Sequence, residues 1–447
     1  MLGVKILNIR INIPKNVRLI IDIMLKNGYE AYLVGGCVRD CILGKEPKDW
    51  DITTNAKPLE IVALFDKVIL TGLKHGTVTI ILDKESYEIT TYRSDGEYED
   101  NRHPKEVKFV SSLKEDLARR DFTINSMAYN EINGLVDYFN GVEDLCRKVI
   151  KTVGDPKKRF NEDALRMLRA IRFSAQLDFD IDRLTLNSIK ELKDNIKNIS
   201  KERIREEFNK ILLNNPRKIE TLRECGILEY IVPGISKIYN FNQNSSYHLQ
   251  DLYNHTIIAT EMVEPKIYLK LSMLFHEFGR TCIRKTDENG ISHYCSYSKE
   301  SSRMASEILK YLKYDNDILN KVIILVQYHD YIMENKVSIK KLLSKIGIDL
   351  FKDLIKIQRA DILAQDSKYS RKHLINLAEA ESILNEIIDN DECFTLKNLK
   401  INGGDLLSLG FNKGKEIGEV LNYLLDIVIE NPKWNEKQEL IKLAMKR

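Results

Sequence analysis

The chain has few of the features that mark a specialised environment. Its seven cysteines are scattered, with no Cys-x-x-Cys pair; the nearest neighbours are Cys37 with Cys41 and Cys282 with Cys295. That pattern excludes a paired-cysteine zinc or redox motif and reads as reduced cytosolic thiols. Apolar runs such as Val322–Val326 fall far short of the roughly 20 residues that cross a bilayer. The N-terminus lacks a charged start, a long apolar stretch and a small-residue cleavage site. The expectation is a cytoplasmic protein with no membrane partner and no obligate protein partner. Nine prolines in 447 residues exclude long Pro-rich connectors, and no fixed-period repeat is present. The net charge is only +3, so any nucleic-acid surface is a local patch.

What is present divides into two regimes. The first 150 residues are β-rich, with strands expected at Ala31–Val34, Thr77–Leu82, Tyr87–Arg93 and Lys108–Val110. Helices are expected at Lys15–Asn27 and Pro58–Phe65. After Pro156 the pattern becomes Leu and Ile at spacings of three and four on Lys/Glu-rich segments. Examples are Phe160–Leu177, Lys201–Leu212, Lys299–Leu312 and Ile318–Tyr328. The fold class is therefore α+β, a small mixed head followed by a long helical array. We divide it into a head at 1–150, a neck at 151–215, a body at 216–335 and a tail at 336–447.

Two short motifs in the head carry chemistry. Leu33-Val34-Gly35-Gly36-Cys37-Val38-Arg39-Asp40 ends a strand in two glycines and enters a helix. Gly35 and Gly36 let backbone N–H groups approach a phosphate, and Arg39 offers a fork of donors. Alone, the pattern equally fits a tight strand–helix turn. Asp49-Trp50-Asp51 follows. In a strand, residues two apart share a face, so both carboxylates would converge. Their repulsion calls for a divalent cation, and Mg²⁺ prefers one or two carboxylates plus substrate phosphates. An isolated Asp-x-Asp is also a common solvated turn.

Taken together, Leu33–Thr54 resembles the signature motif of the tRNA nucleotidyltransferase and poly(A) polymerase family, of the polymerase-β-like superfamily. It is most similar to bacterial CCA-adding members of the class II type. The resemblance implies a polymerase-β-like head with an all-helical neck, body and tail. It implies transfer of C, C and A to a tRNA 3′ end from CTP and ATP, without a nucleic-acid template. Two Mg²⁺ ions would be held by Asp49 and Asp51, and Glu88 is the candidate third carboxylate. Relatives that add only the terminal A, or that make poly(A), share the same head and remain alternatives. Arg93–Pro104 is similar to a flexible loop of the family, and its presence implies that A addition is retained. Arg119-Arg120-Asp121-Phe122-Thr123-Ile124-Asn125-Ser126-Met127-Ala128 resembles a second motif, in which Arg120 and Asp121 reach the triphosphate and ribose. Asp121 as a helix cap is the plainer reading.

Glu162-Asp163-Ala164-Leu165-Arg166-Met167-Leu168-Arg169-Ala170-Ile171-Arg172 offers a way to choose a base. On a helix, Asp163 and Arg166 are surface neighbours. Cytosine and adenine both present an amino donor to Asp163 and a ring acceptor to Arg166, whereas guanine and uracil reverse that order. A mismatch leaves buried polar groups unpaired, at roughly 1–3 kcal/mol each. Arg169 shares the same face. Arg172 is counted with the nucleotide-binding residues by the resemblance, but helical geometry turns it away from Asp163, towards bracing the neck. A surface ion pair is the competing reading for Asp163 and Arg166.

The helical half resembles an HD phosphohydrolase domain through His255, His276-Glu277, His293 and His329-Asp330. Such domains need a His-Asp pair to hold a metal, and here the pair reads His276-Glu277. Tyr297 stands where related domains carry a further His. The expectation is a domain that kept its packing and lost its metal, which makes hydrolase activity the weaker alternative function. Asp361 recurs in an Arg-Ala-Asp context, and the Lys-rich tail is implied to contact tRNA.

Overall fold

A computed structural model describes residues 9–95, 107–239, 241, 251–282, 285–286, 292–293, 297–365 and 367–446. The loop read at Arg93–Pro104 therefore lies, from residue 96 onward, outside the described residues. The chain divides into two compact units, 1–232 and 233–447.

The first unit is built on strands β1 (Ala31–Val34), β2 (Ile52–Thr54), β3 (Val68–Gly72), β4 (Thr77–Leu82) and β5 (Glu85–Thr91). A separate ribbon, β6 (Arg93–Asp95) with β7 (Val107–Phe109), is followed by β8 (Met127–Asn130) and β9 (Gly134–Asp137). The sheet order is β3-β4-β5-β2-β1-β8-β9. Every pair in it is antiparallel except β2 with β5, where Ile52 faces Ile89 in parallel register. All four residues of β1 are buried, which is why this central strand reads as an unbroken apolar run. Five helices accompany the sheet: α1 (Lys15–Lys26), α2 (Gly36–Ile42), α3 (Pro58–Leu64), α4 (Leu113–Ala118) and α5 (Gly141–Cys146). Helix α1 buries Val17, Ile20, Ile21 and Met24, one stripe at helical spacing.

The unit continues through α6 (Pro156–Glu162), α7 (Leu165–Leu177), α8 (Arg183–Leu192), α9 (Lys201–Asn214), α10 (Ile219–Glu224) and α11 (Leu228–Ile231). The single helix expected over Phe160–Leu177 is in fact two. Asp163 is extended, at φ −143° and ψ 105°, and ends α6. Its carboxylate accepts the Leu165 N–H at 3.0 Å, which satisfies an otherwise orphaned donor at the start of α7.

The second unit is almost wholly helical. It contains α12 (Leu252–Met262), α13 (Ile267–Phe275), α14 (Tyr297–Tyr311), α15 (Asn316–Tyr328), α16 (Lys336–Leu363), α17 (Ser367–Asp389), α18 (Gly403–Ser408), α19 (Lys415–Glu430) and α20 (Lys437–Met445). One apolar cluster runs from Ala259 to Ile387 and another from Cys393 to Ala444. Helices α16 and α17 thus share a core with α12, α13 and α15, and packing does not break at the body–tail boundary read at 335. Helix α16 is kinked at Gly347, whose φ of 77° only glycine adopts without strain. Among the described residues no helix is long and apolar enough to cross a membrane.

Candidate active site

Asp49 and Asp51 do not project from one strand, as the two-residue spacing suggested. Asp49 lies in a bend, and Asp51 comes immediately before β2 begins at Ile52. The Asp51 carbonyl accepts the Val34 N–H at 3.1 Å, so its backbone is tied to the end of β1. The parallel register then does the positioning. With Ile52 opposite Ile89, Asp51 and Glu88 stand side by side one place earlier on neighbouring chains. Asp49, Asp51 and Glu88 all remain open to solvent. The protein around Asp51 nevertheless raises its carboxyl above the ordinary value. The Arg120 guanidinium pulls it back, and the negative charges of Glu88 and Asp49 push it up again. The three carboxylates do not close into one tight cluster of ligand atoms. They form an open acidic rim, which suits an ion that keeps much of its shell for water and phosphate.

Arg120 is set by a residue the sequence reading passed over. Asp116 on α4 is fully buried and accepts from Arg119 at 2.7 and 3.0 Å, from Arg120 at 3.2 Å and from the Thr53 hydroxyl of β2 at 3.3 Å. Burial raises its carboxyl, but Arg120 and Arg119 together hold it below the ordinary value. Its spacing to the two arginines, three and four residues, was the available signal. Gly35 makes room on the other side. Its φ is +79°, and a Cβ there would lie 3.2 Å from an Arg120 terminal nitrogen. Gly36 opens α2. Arg39 is not brought to the carboxylates. It is 4% exposed and donates to Asp40 at 2.8 Å and to Asn125 at 2.7 Å.

Asp121 is buried and receives Arg169 of α7 on one oxygen and the Phe122 N–H and Asn125 amide on the other. Burial alone would raise its carboxyl, but Arg169 and the hydrogen bonds hold it at about 2. The motif around Asp121 is thereby locked to the first turns of α7.

Asp163 and Arg166 lie together at the α6–α7 break, yet each has other partners. Arg203 of α9 donates to Asp163 at 2.9 Å. Arg166 donates to Glu162 at 2.6 Å and to the backbone carbonyls of Arg159 and Arg119 at 3.1 Å. Arg172 points the other way, to Glu207 of α9 at 2.6 Å and to Gln176 at 2.9 Å, and is 8% exposed. Burial pushes the Arg172 guanidinium down, which Glu207 partly offsets. Arg203 and Glu207 sit in the quoted segment Lys201–Leu212, but only the packing of α7 on α9 reveals what they face.

Known proteins match the chain in sequence and fold. A Poly A polymerase head domain matches residues 31–151, a probable RNA and SrmB-binding site of polymerase A matches 178–238, and a tRNA nucleotidyltransferase domain 2 matches 285–444. The chain is 34% identical to a CCA-adding enzyme of Anoxybacillus flavithermus over 433 residues, 95% of each chain. It is 55% identical to that of Lactobacillus helveticus over 184 residues, 41% of this chain and 46% of the relative. Among solved structures, the CCA-adding enzyme of Bacillus stearothermophilus in complex with CTP superposes with a TM-score of 0.71 at 26% identity, covering 96% of each chain. That of Thermotoga maritima complexed with tRNA shares the fold, with a TM-score of 0.60 at 22% identity over 98% of this chain and 97% of that one. With the head, the helical array and nearly the whole length accounted for, the chain belongs to the tRNA nucleotidyltransferase and poly(A) polymerase family, in its CCA-adding branch.

Proposed function

We infer that this chain completes the 3′ end of tRNA with C, C and A from CTP and ATP, and that Asp49, Asp51 and Glu88 carry the transfer. The single observation behind the site assignment is the parallel β2–β5 register, which sets Glu88 beside Asp51 next to Asp49 and Arg120. In the reaction the 3′ oxygen of the RNA bonds to the α-phosphorus of the incoming nucleotide, and pyrophosphate leaves. Mg²⁺, two ions in this reading, would be held by Asp49 and Asp51 with Glu88 in support, and supplies the charge that activates the 3′-hydroxyl and steadies the leaving group. Arg120, braced by buried Asp116, lies where a triphosphate would meet that rim, and Gly35 keeps the approach open. Asp163 retains acceptor capacity on Oδ2 beyond its bond to Arg203, which supports its reading of the C or A amino group. Arg166 donates to the base in the same reading, with Arg169 beside it. Arg39 and Arg172 hold the walls.

The location proposed is the cytoplasm, on the scattered cysteine spacing of the sequence. Purified protein incubated with tRNA transcripts ending before CCA, after C and after CC, each with CTP or ATP, tests the function. Incorporation of C into the first two and of A into the third is expected. A addition to the third transcript with no C addition to the others would make the chain an A-adding enzyme. Unlimited A addition to all three would make it a poly(A) polymerase.

A further inference from the structure

Asp116 does more than brace Arg120, because its two oxygens serve different neighbours. Oδ2 accepts Arg120 Nη2 at 3.2 Å and the Thr53 hydroxyl at 3.3 Å. Oδ1 accepts Arg119 Nε at 3.0 Å and Nη2 at 2.7 Å. The residue is 0% exposed, so water cannot stand in for any of these donors.

Each oxygen leads to a different end of the site. Thr53 is two places beyond Asp51, so Oδ2 fixes Arg120 relative to the acidic rim. Arg120 Nε is buried without a hydrogen-bond partner, and the guanidinium therefore keeps donor capacity for an anion. On the other side, both Arg119 donors grip Oδ1, and the Arg119 backbone carbonyl accepts Arg166 Nη2 at 3.1 Å. Arg166 is thus tied, through one residue, to the carboxylate that holds Arg120.

We propose that Asp116 is a positioning residue for nucleotide selection, a single buried carboxylate that sets the triphosphate-facing Arg120 and, through Arg119, the base-facing Arg166 at a fixed separation. The proposal rests on the roles given to Arg120 and Arg166 above. A nucleotide whose base does not fit Arg166 then cannot slide along the site to a better position, because its phosphates would leave Arg120.

Initial rates of single-nucleotide incorporation by the full chain give two readouts. Inhibition by inorganic pyrophosphate probes the triphosphate end without a base, and the ratio of kcat/KM for CTP over UTP probes the base. Arg120→Ala should raise the pyrophosphate inhibition constant about tenfold and leave the ratio unchanged. Arg119→Lys keeps the charge but loses the two-donor grip, and should lower the ratio about tenfold without changing pyrophosphate inhibition. Asp116→Asn leaves one neutral oxygen for two guanidinium groups and should do both. In the Arg120→Ala background, Asp116→Asn should not raise the pyrophosphate constant further. Circular dichroism checks each fold, and if Asp116→Asn does not fold, Arg119→Lys decides. A change in one readout alone for Asp116→Asn, equal slowing of CTP and UTP, or an additive effect with Arg120→Ala overturns the proposal. Arg166→Ala separates the two levels of the argument. An unchanged ratio there defeats base reading itself and this proposal with it, whereas a lowered ratio there with none in Arg119→Lys and Asp116→Asn defeats this proposal alone.

Discussion

Asp121 ties its motif to the neck, and its charge state makes that tie sensitive to acid. The folded group titrates at about 2, below its ordinary value of 3.8, so it stabilises the protein above the unfolded value. That stability is lost as the pH falls from about 4 through 2. The difference is worth about 2 kcal/mol. Asp121→Asn should therefore lower stability at pH 7 by about that amount in urea unfolding, with the gap closing below pH 4. A gap independent of pH would mean the loss is steric. Asp49→Ala and Asp51→Ala should each abolish transfer while leaving circular dichroism unchanged. Near wild-type rates in saturating Mg²⁺ by either variant would sink the assignment. These two aspartates stand out in the sequence as candidates because Asp-x-Asp closely follows a Gly-Gly turn. Asp116 does not, because its weight comes from being dry beneath β2, and burial depends on chain that is distant in sequence.

At the scale of elements, the α6–α7 break was the main surprise. Apolar spacing ran smoothly through Phe160–Leu177, and a single extended residue does not disturb such a pattern. The break lets Asp163 cap α7 and meet Arg203 instead of Arg166. If Asp163 reads the base as proposed, base selection depends on α9 as well as α7. Single-nucleotide incorporation with CTP, ATP, UTP and GTP should show the penalty against UTP shrinking about tenfold to a hundredfold in Asp163→Ala. Arg203→Ala should shrink it less, since the acceptor survives without its orienting partner. If both variants slow all four nucleotides equally, Asp163 only braces the neck. Strands β1 and β4 were legible at their exact ends from β-branched and apolar runs. Strands β2, β3, β8 and β9 were missed, because three to five residues carry too little pattern to separate them from loop.

Across the whole molecule, the division at Val232 separates a complete acidic rim with its own core from a helical array. A chain ending at Val232 should stay folded and bind CTP, but bind tRNA at least tenfold more weakly in filter-binding assays. Equal tRNA affinity would remove the tail from RNA recognition. The shift from mixed sheet to helices after Pro156 was plain in the sequence. The compact boundary was not, because α6–α11 read like the helices after them while packing with the head.

The central strand β1 bonds to β2 on one side and, on the other, to β8, where Leu33 meets Tyr129. Asp51 faces Glu88 only once β5 has docked on β2. A growing polypeptide therefore carries Asp49 and Asp51 before the acidic rim they are proposed to form with Glu88 can assemble, and the sheet cannot be completed until about residue 137 has emerged from the ribosome. Helical segments assemble from local contacts and need no such wait. During refolding from denaturant, helical signal should return first and nucleotide transfer last, with the enzyme's own activity serving as the clock for closure of its slowest strand pair.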